Sequence, residues 1–207
     1  MKNIEFVYFD VGGVLLLDYS GTNKWDEMKR DLGVTKDLDE KYEKLLLKYK
    51  PRVCVDFDID NLAPILEKEL GLAIPKNYSM LIDFANRFEL NESIWSISKA
   101  TKQNYKVGLL TNQFPRMLAL IKKRNLIPDI DWDAVVDSSV VRYQKPEEEI
   151  YKIAEEMSGL DSEKIFFIDN KNENLEVARK RGWKTFLYDP QSPEESSRRL
   201  SDILGLE

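Results

Sequence analysis

The sequence predicts an α/β fold: a Rossmann-like parallel sheet flanked by helices, with an all-α segment inserted after the first strand. Two observations carry that expectation. From about residue 92 onward, short β-branched and aromatic runs ending at polar residues alternate with helical patterns, as in parallel βαβ units. One more such run stands alone near the N-terminus, separated from the others by residues with helical periodicity only.

That solitary run is Ile4–Asp10 (IEFVYFD), followed by Gly12 and Gly13. A buried parallel strand reads this way, and its carboxyl end is where such sheets place ligands. Four helical patterns follow: Asn23–Leu32 ending at Gly33, Lys36–Lys50 ending at Pro51, Ile59–Leu70 ending at Gly71, and Lys76–Phe88. Leu38, Tyr42, Leu45 and Leu46 recur at helical spacing and mark a packing stripe. The later strands are Lys106–Leu110 before Thr111-Asn112, Ala134–Val136 before Asp137, Ile165–Ile168 before Asp169-Asn170, and Lys184–Leu187. Helices between them open on Pro115, on Pro146 with three glutamates, and on Asn172. The expected division is an α/β core of residues 1–17 and 91–207 and a helical insertion of residues 18–90.

Composition excludes much chemistry. Histidine is absent and Cys54 is the only cysteine among 207 residues, so no Ser-His-Asp triad, Cys-His pair, histidine-ligated zinc or internal disulfide is possible. The net charge of −6 without a Lys/Arg block argues against nucleic-acid or anionic-membrane partners. No apolar run approaches the roughly 20 residues of a membrane span. A cytoplasmic monomer or homodimer is expected, with Cys54 a packed small hydrophobe.

Several polar residues at strand ends could act together. Asp10 and Asp169, if their strands are neighbours, would bring two carboxylates to one sheet edge, a site suited to Mg2+. Thr111 offers a hydroxyl, Asn112 an amide and helix start, and Lys145 an ammonium before a Pro-initiated helix; phosphate oxygens require such donors. A carboxylate beside Mg2+ can attack phosphorus as nucleophile. Taken singly, each residue also reads as an ordinary cap, turn or surface group.

Their order resembles the motifs of the haloacid dehalogenase-like (HAD) superfamily. Phe9-Asp10-Val11-Gly12-Gly13-Val14-Leu15 is similar to the first motif, Leu109-Leu110-Thr111-Asn112 to the second, Gln144-Lys145-Pro146 to the third, and Phe167-Ile168-Asp169-Asn170 to the fourth. The insertion lies where C1-type members carry a helical cap. The resemblance implies an HAD core with a C1 cap and a Mg2+-dependent phosphatase acting on a small phosphorylated metabolite. It makes Asp10 nucleophile and metal ligand, with the Gly12 carbonyl and Asp169 as further ligands and Asn170 supporting the metal's water shell. Thr111, the backbone of Asn112, and Lys145 would hold the phosphoryl group. In the cap segment 51–58, Arg52 is the candidate substrate contact.

Two positions depart from the family pattern. Gly12 stands where a second Asp usually protonates the leaving group and activates water, and Asn170 stands where Asp is frequent. Gly12 leaves open a non-catalytic or regulatory binding protein on the same fold. A receiver-type phospho-acceptor also uses Asp, Thr and Lys-Pro, but its acceptor does not sit on the first strand. Dehalogenation is disfavoured, because Gly12 and Leu15-Leu16-Leu17-Asp18 supply neither the Tyr nor the Arg of that branch.

Overall fold

The computed structural model describes residues 3–206. Its main sheet has five parallel strands: β1 (Phe6–Phe9), β4 (Lys106–Thr111), β5 (Ala134–Asp137), β6 (Ile165–Asp169) and β7 (Lys184–Leu187), in the order β5-β4-β1-β6-β7. All five strands expected from the apolar runs are present. Side chains alternate between the two faces, as the pleat requires. Val7, Phe9, Val107, Leu109 and Ile168 face one core cluster, while Phe6, Tyr8, Leu110 and Phe167 face the other. Helices cover both faces, giving three layers. Gly108 lets β4 lie close to β1, since a Cβ there would approach the Tyr8 ring to 2.6 Å.

Between β1 and β4 the chain makes a short antiparallel ribbon, β2 (Leu16–Leu17) with β3 (Glu89–Leu90). The residues between these strands form only helices: α1 (Lys24–Asp31), α2 (Lys36–Val53), a 3-10 turn and α3 (Leu62–Leu70), and α4 (Met80–Asn86). Two ends differ from expectation. α2 runs past Pro51 to Val53, and the N–H groups of Val55, Asp56 and Phe57 all converge on Arg52 O. α4 starts at Met80 and not at Lys76, because residues 75–78 make a turn and Ser79 caps the helix by accepting from Ile82 N–H at 3.2 Å.

The remaining helices are α5 (Glu92–Asn104), α6 (Met117–Lys123), α7 (Ser138–Val141), α8 (Glu148–Ser158), α9 (Asn172–Lys180) and α10 (Pro193–Leu204). α6 begins later than Pro115 because Arg116 adopts φ 74°, a conformation that disfavours most side chains. Arg116 donates to Asp58 and, at 2.8 Å, to Asp60 of the inserted segment. Ser138 Oγ donates to Cys54 O, and Arg142 Nη1 to Val55 O at 2.7 Å. The loop after α2 is thus tied to the strand ends. Among the described residues no helix is long and apolar enough to cross a membrane.

Candidate active site

Parallel register decides what meets at the carboxyl edge of the sheet. Phe9 is level with Leu109 of β4 and Ile168 of β6, so Asp10, Leu110 and Asp169 follow at one height, with Thr111 one step beyond. Chain order also reverses at β1, outward to β4 and β5 and then back to β6 on the other side. Open α/β sheets bind ligands at such switch points.

Lys145 joins the two acids. Its Nζ lies 3.0 Å from Asp10 Oδ1 and 2.7 Å from Asp169 Oδ2, and it donates to Leu110 O at 2.9 Å. All three charged side chains are buried. A reciprocal pair of 2.8 Å bonds positions the lysine: its N–H donates to Asn112 Oδ1, and Asn112 Nδ2 donates to its carbonyl. Asp10 Oδ1 also accepts the Val11 N–H at 2.7 Å, whereas no donor among the described residues engages Oδ2. Asp169 is held on both oxygens, by Lys171 N–H at 2.7 Å and by Asn174 Nδ2 at 2.9 Å. Thr111 is fully buried, and its Oγ1 accepts from Gln113 Nε2 at 3.0 Å.

Burial pushes the Asp10 carboxyl up to about 6; Lys145 opposes that shift and Asp169 adds to it. Burial also works against the Lys145 ammonium, but the two carboxylates outweigh it and hold its pKa above the usual lysine range. Two carboxylates against one ammonium leave a net negative charge away from water. Such a site favours a cation.

The donors fit a hard one. Asn170, next to Asp169, has its Oδ1 buried without a hydrogen-bond partner while its Nδ2 donates to Ser20 Oγ at 3.0 Å. An orphaned oxygen beside oxygen-only acids is the ligand chemistry of Mg2+ or Ca2+. Among the described residues no three of His, Cys, Asp and Glu converge on a metal, so carbonyl and amide oxygens would have to complete the shell. Gly13, at φ 74°, gives Asn170 its place, because a Cβ there would collide with the amide.

The structure adds a carboxylate that the sequence reading passed over. A Cβ on residue 12 would fall 2.6 Å from Asp18 Oδ2, so Asp18 fills the space a side chain at Gly12 would take. Ser20 N–H fixes its other oxygen at 2.8 Å. Gln113, which holds Thr111, was also missed. The glycine itself was the available signal: an empty position two residues after Asp10 leaves room for a neighbour.

Above the strand ends lies a cavity of about 490 Å3, with Gly12, Asp18, Asn112 and Gln113 at its floor and Lys50 and Cys54 among its walls. Burial pushes the Cys54 thiol up to about 12, which works against a thiolate there. Arg52 is not brought to the site. Its side chain is 59% exposed, its Nε donates to Asp56 Oδ1 at 2.9 Å, and it does not line the cavity. A carboxylate one helical turn away has captured it, and Lys50 on the same helix lines the cavity instead.

Comparison with solved structures supports the architecture. A HAD-like family hydrolase from Porphyromonas gingivalis matches with TM-score 0.78 and 21% identity over 99% of this chain and 100% of its own. The HAD family enzyme bt-2542 from Bacteroides thetaiotaomicron, in complex with magnesium and inorganic phosphate, matches with TM-score 0.68 and 18% identity over 89% and 94%. L-2-haloacid dehalogenase from Xanthobacter autotrophicus, with chloropropionic acid covalently bound, matches with TM-score 0.58 and 22% identity over 89% and 77%. These likenesses are of fold. No curated protein sequence matches. The family model for haloacid dehalogenase-like hydrolases matches residues 4–205, and the chain belongs to that family.

Proposed function

We propose that the protein is a Mg2+-dependent phosphohydrolase with a C1-type cap formed by residues 18–90, removing phosphate from a small phosphorylated metabolite through an aspartyl-phosphate on Asp10. One observation carries the reading: Asp10 is anchored on a single oxygen by Val11 N–H and Lys145, which leaves Oδ2 available beside Asp169 at the carboxyl edge of the sheet. A carboxylate fixed in that way is oriented for attack. The complex of bt-2542 with magnesium and inorganic phosphate agrees with this chemistry.

In this reading Asp10, Asp169, Asn170 and the Gly12 carbonyl would hold Mg2+, which would supply charge neutralisation for the phosphoryl oxygens. Asp10 attacks phosphorus, the ester P–O bond breaks, and the leaving oxygen takes a proton. Water then attacks the aspartyl-phosphate, giving inorganic phosphate and restoring Asp10. Thr111 and Asn112 position the phosphoryl group, and Lys145 balances charge between it and the acids. Asp18, in the space beside Gly12, is the group this chain offers to give and recover the proton. A carboxylate in that space supports catalysis over a purely binding role.

Two measurements test the reading. Phosphate release from a panel of phosphorylated metabolites should require Mg2+, vanish in EDTA and return when Mg2+ is restored; release that ignores EDTA, or no release from any ester, would refute it. Asp18→Asn should lower kcat about 10²–10⁴-fold with little change in KM, the range of general acid–base contributions. With 4-nitrophenyl phosphate, whose leaving group needs no proton, the variant should show a burst and then slow turnover. Wild-type kinetics in this variant would remove Asp18 from the mechanism.

A further inference from the structure

The cavity above the strand ends is nearly as informative as its floor. Its upper walls are apolar: Leu16 and Leu46 are joined there by Met80, Phe84, Phe114 and Ile121. The aromatic side pieces together tightly, with ring centroids 4.9 Å apart for Tyr19–Phe84 and 5.0 Å apart for Phe84–Phe114. Several polar groups on these walls already have partners within the protein. Trp25 Nε1 donates to Glu43 Oε1 at 2.9 Å, and that same oxygen accepts from Lys29 Nζ at 3.0 Å. Tyr19 OH contacts Met28 Sδ at 3.6 Å, Gln113 Nε2 is engaged by Thr111, and the Asn112 amide by Lys145. Asp18 lies beside Gly12, at the floor. Lys50, for which no ion pair exists among the described residues, is exposed.

A polyol placed against such walls would strand its hydroxyls. Each buried hydroxyl without a partner weakens binding by about tenfold or more. A hydrocarbon body would gain from the same surface, and a volume of about 490 Å3 accommodates a ring or branched chain beyond the phosphoryl position.

We infer that the alcohol esterified to the phosphate is an apolar ring-bearing or branched hydrocarbon group, not a sugar or other polyol. The inference rests on the phosphohydrolase reading for its chemistry and on the cavity walls for its selectivity. The phosphoryl group sits at Gly12 and Asn112, and the organic part lies upward between Leu46, Phe84 and Phe114.

The test compares two esters of primary alcohols, cyclohexylmethyl phosphate and glucose 6-phosphate, with full-length protein and Mg2+. Their leaving oxygens are alike, so a difference reports on the body of the substrate. The expected kcat/KM is at least about 100-fold higher for the cyclohexylmethyl ester, since several stranded hydroxyls act together. Leu46→Gln, which puts an amide into the wall, should lower that value about tenfold through KM and so narrow the preference over glucose 6-phosphate. Calorimetry with the corresponding phosphonates, which cannot be hydrolysed, separates the two readings. Equal or faster turnover of glucose 6-phosphate overturns the substrate class and leaves the phosphohydrolase intact. If no ester is turned over but the apolar phosphonate binds at least tenfold tighter, the chamber assignment stands and the hydrolytic reading falls. Equal binding, or no binding of either phosphonate, overturns the inference.

Discussion

Asp10→Asn should abolish phosphate release, with kcat falling by about 10⁴-fold or more, as expected when a covalent catalyst loses its nucleophile. The substitution keeps the side chain's size and removes its charge. Misfolding is not the expected cause, and the electrostatics say why. Burial raises the Asp10 carboxyl in the folded protein to about 6, from an ordinary value of 3.8. A raised carboxylate pKa means that the native state holds the proton more tightly than the unfolded chain does. The group's contribution to stability is therefore most favourable below the unfolded pKa and declines as pH rises between about 4 and 6. At pH 7 the metal-free wild type carries the full penalty of an ionised, buried Asp10, and the amide does not. Lys145 then faces Asp169 alone, one charge against one. Chemical denaturation at pH 7 without metal should thus find Asp10→Asn at least as stable as wild type. Added Mg2+ should reverse the order, stabilising the wild type by about 2.7 kcal/mol at a hundred times its Kd and the variant far less. Full activity in the variant, or equal stabilisation of both proteins by Mg2+, would contradict the assignment of Asp10.

Lys145→Met should be the most damaging single change to the fold within the site. The ammonium is buried and neutralises two carboxylates that otherwise face each other in a dry space. Removing one member of such a network costs about 3–5 kcal/mol, against a total stability of roughly 5–15 kcal/mol for a domain. The urea midpoint should drop accordingly, and activity should be lost. Mg2+ should recover part of the lost stability, because a divalent ion held by the two acids would supply positive charge in place of the ammonium. A variant as stable as wild type without metal would show that Lys145 is not what keeps the two acids together.

Much of the sheet was legible because parallel strands buried on both faces leave unbroken apolar runs, and each run here ends at a polar residue. Asp10, Thr111 and Asp169 were visible for that reason, and Lys145 because a proline follows it. Strand order could not be read from the runs, yet it decides which ends touch; only the pairing of β1 with both β4 and β6 brings these residues together. The helical segment was read correctly in kind and less well at its ends. α2 continues through Pro51, since a proline near a helix end forfeits one hydrogen bond without stopping the chain from turning. Arg52 illustrates a different limit. Its charge suggested a ligand, but an acid four residues along competes for it, and local competition of that kind is decided by side-chain geometry. For Asp18 the glycine at position 12 signalled only that space was free, because what fills it depends on the ribbon that returns the chain to the core.

That ribbon has a consequence for how the family can diversify. Leu16–Leu17 and Glu89–Leu90 hold the two feet of the excursion side by side, whatever stands between them. Closing a loop twice as long adds only about 0.6 kcal/mol of chain entropy. A lineage can therefore lengthen, shorten or reline the roof over its catalytic floor while the strands beneath keep their register. New substrates become reachable through changes above β2 and β3, with no change to the oxygens below.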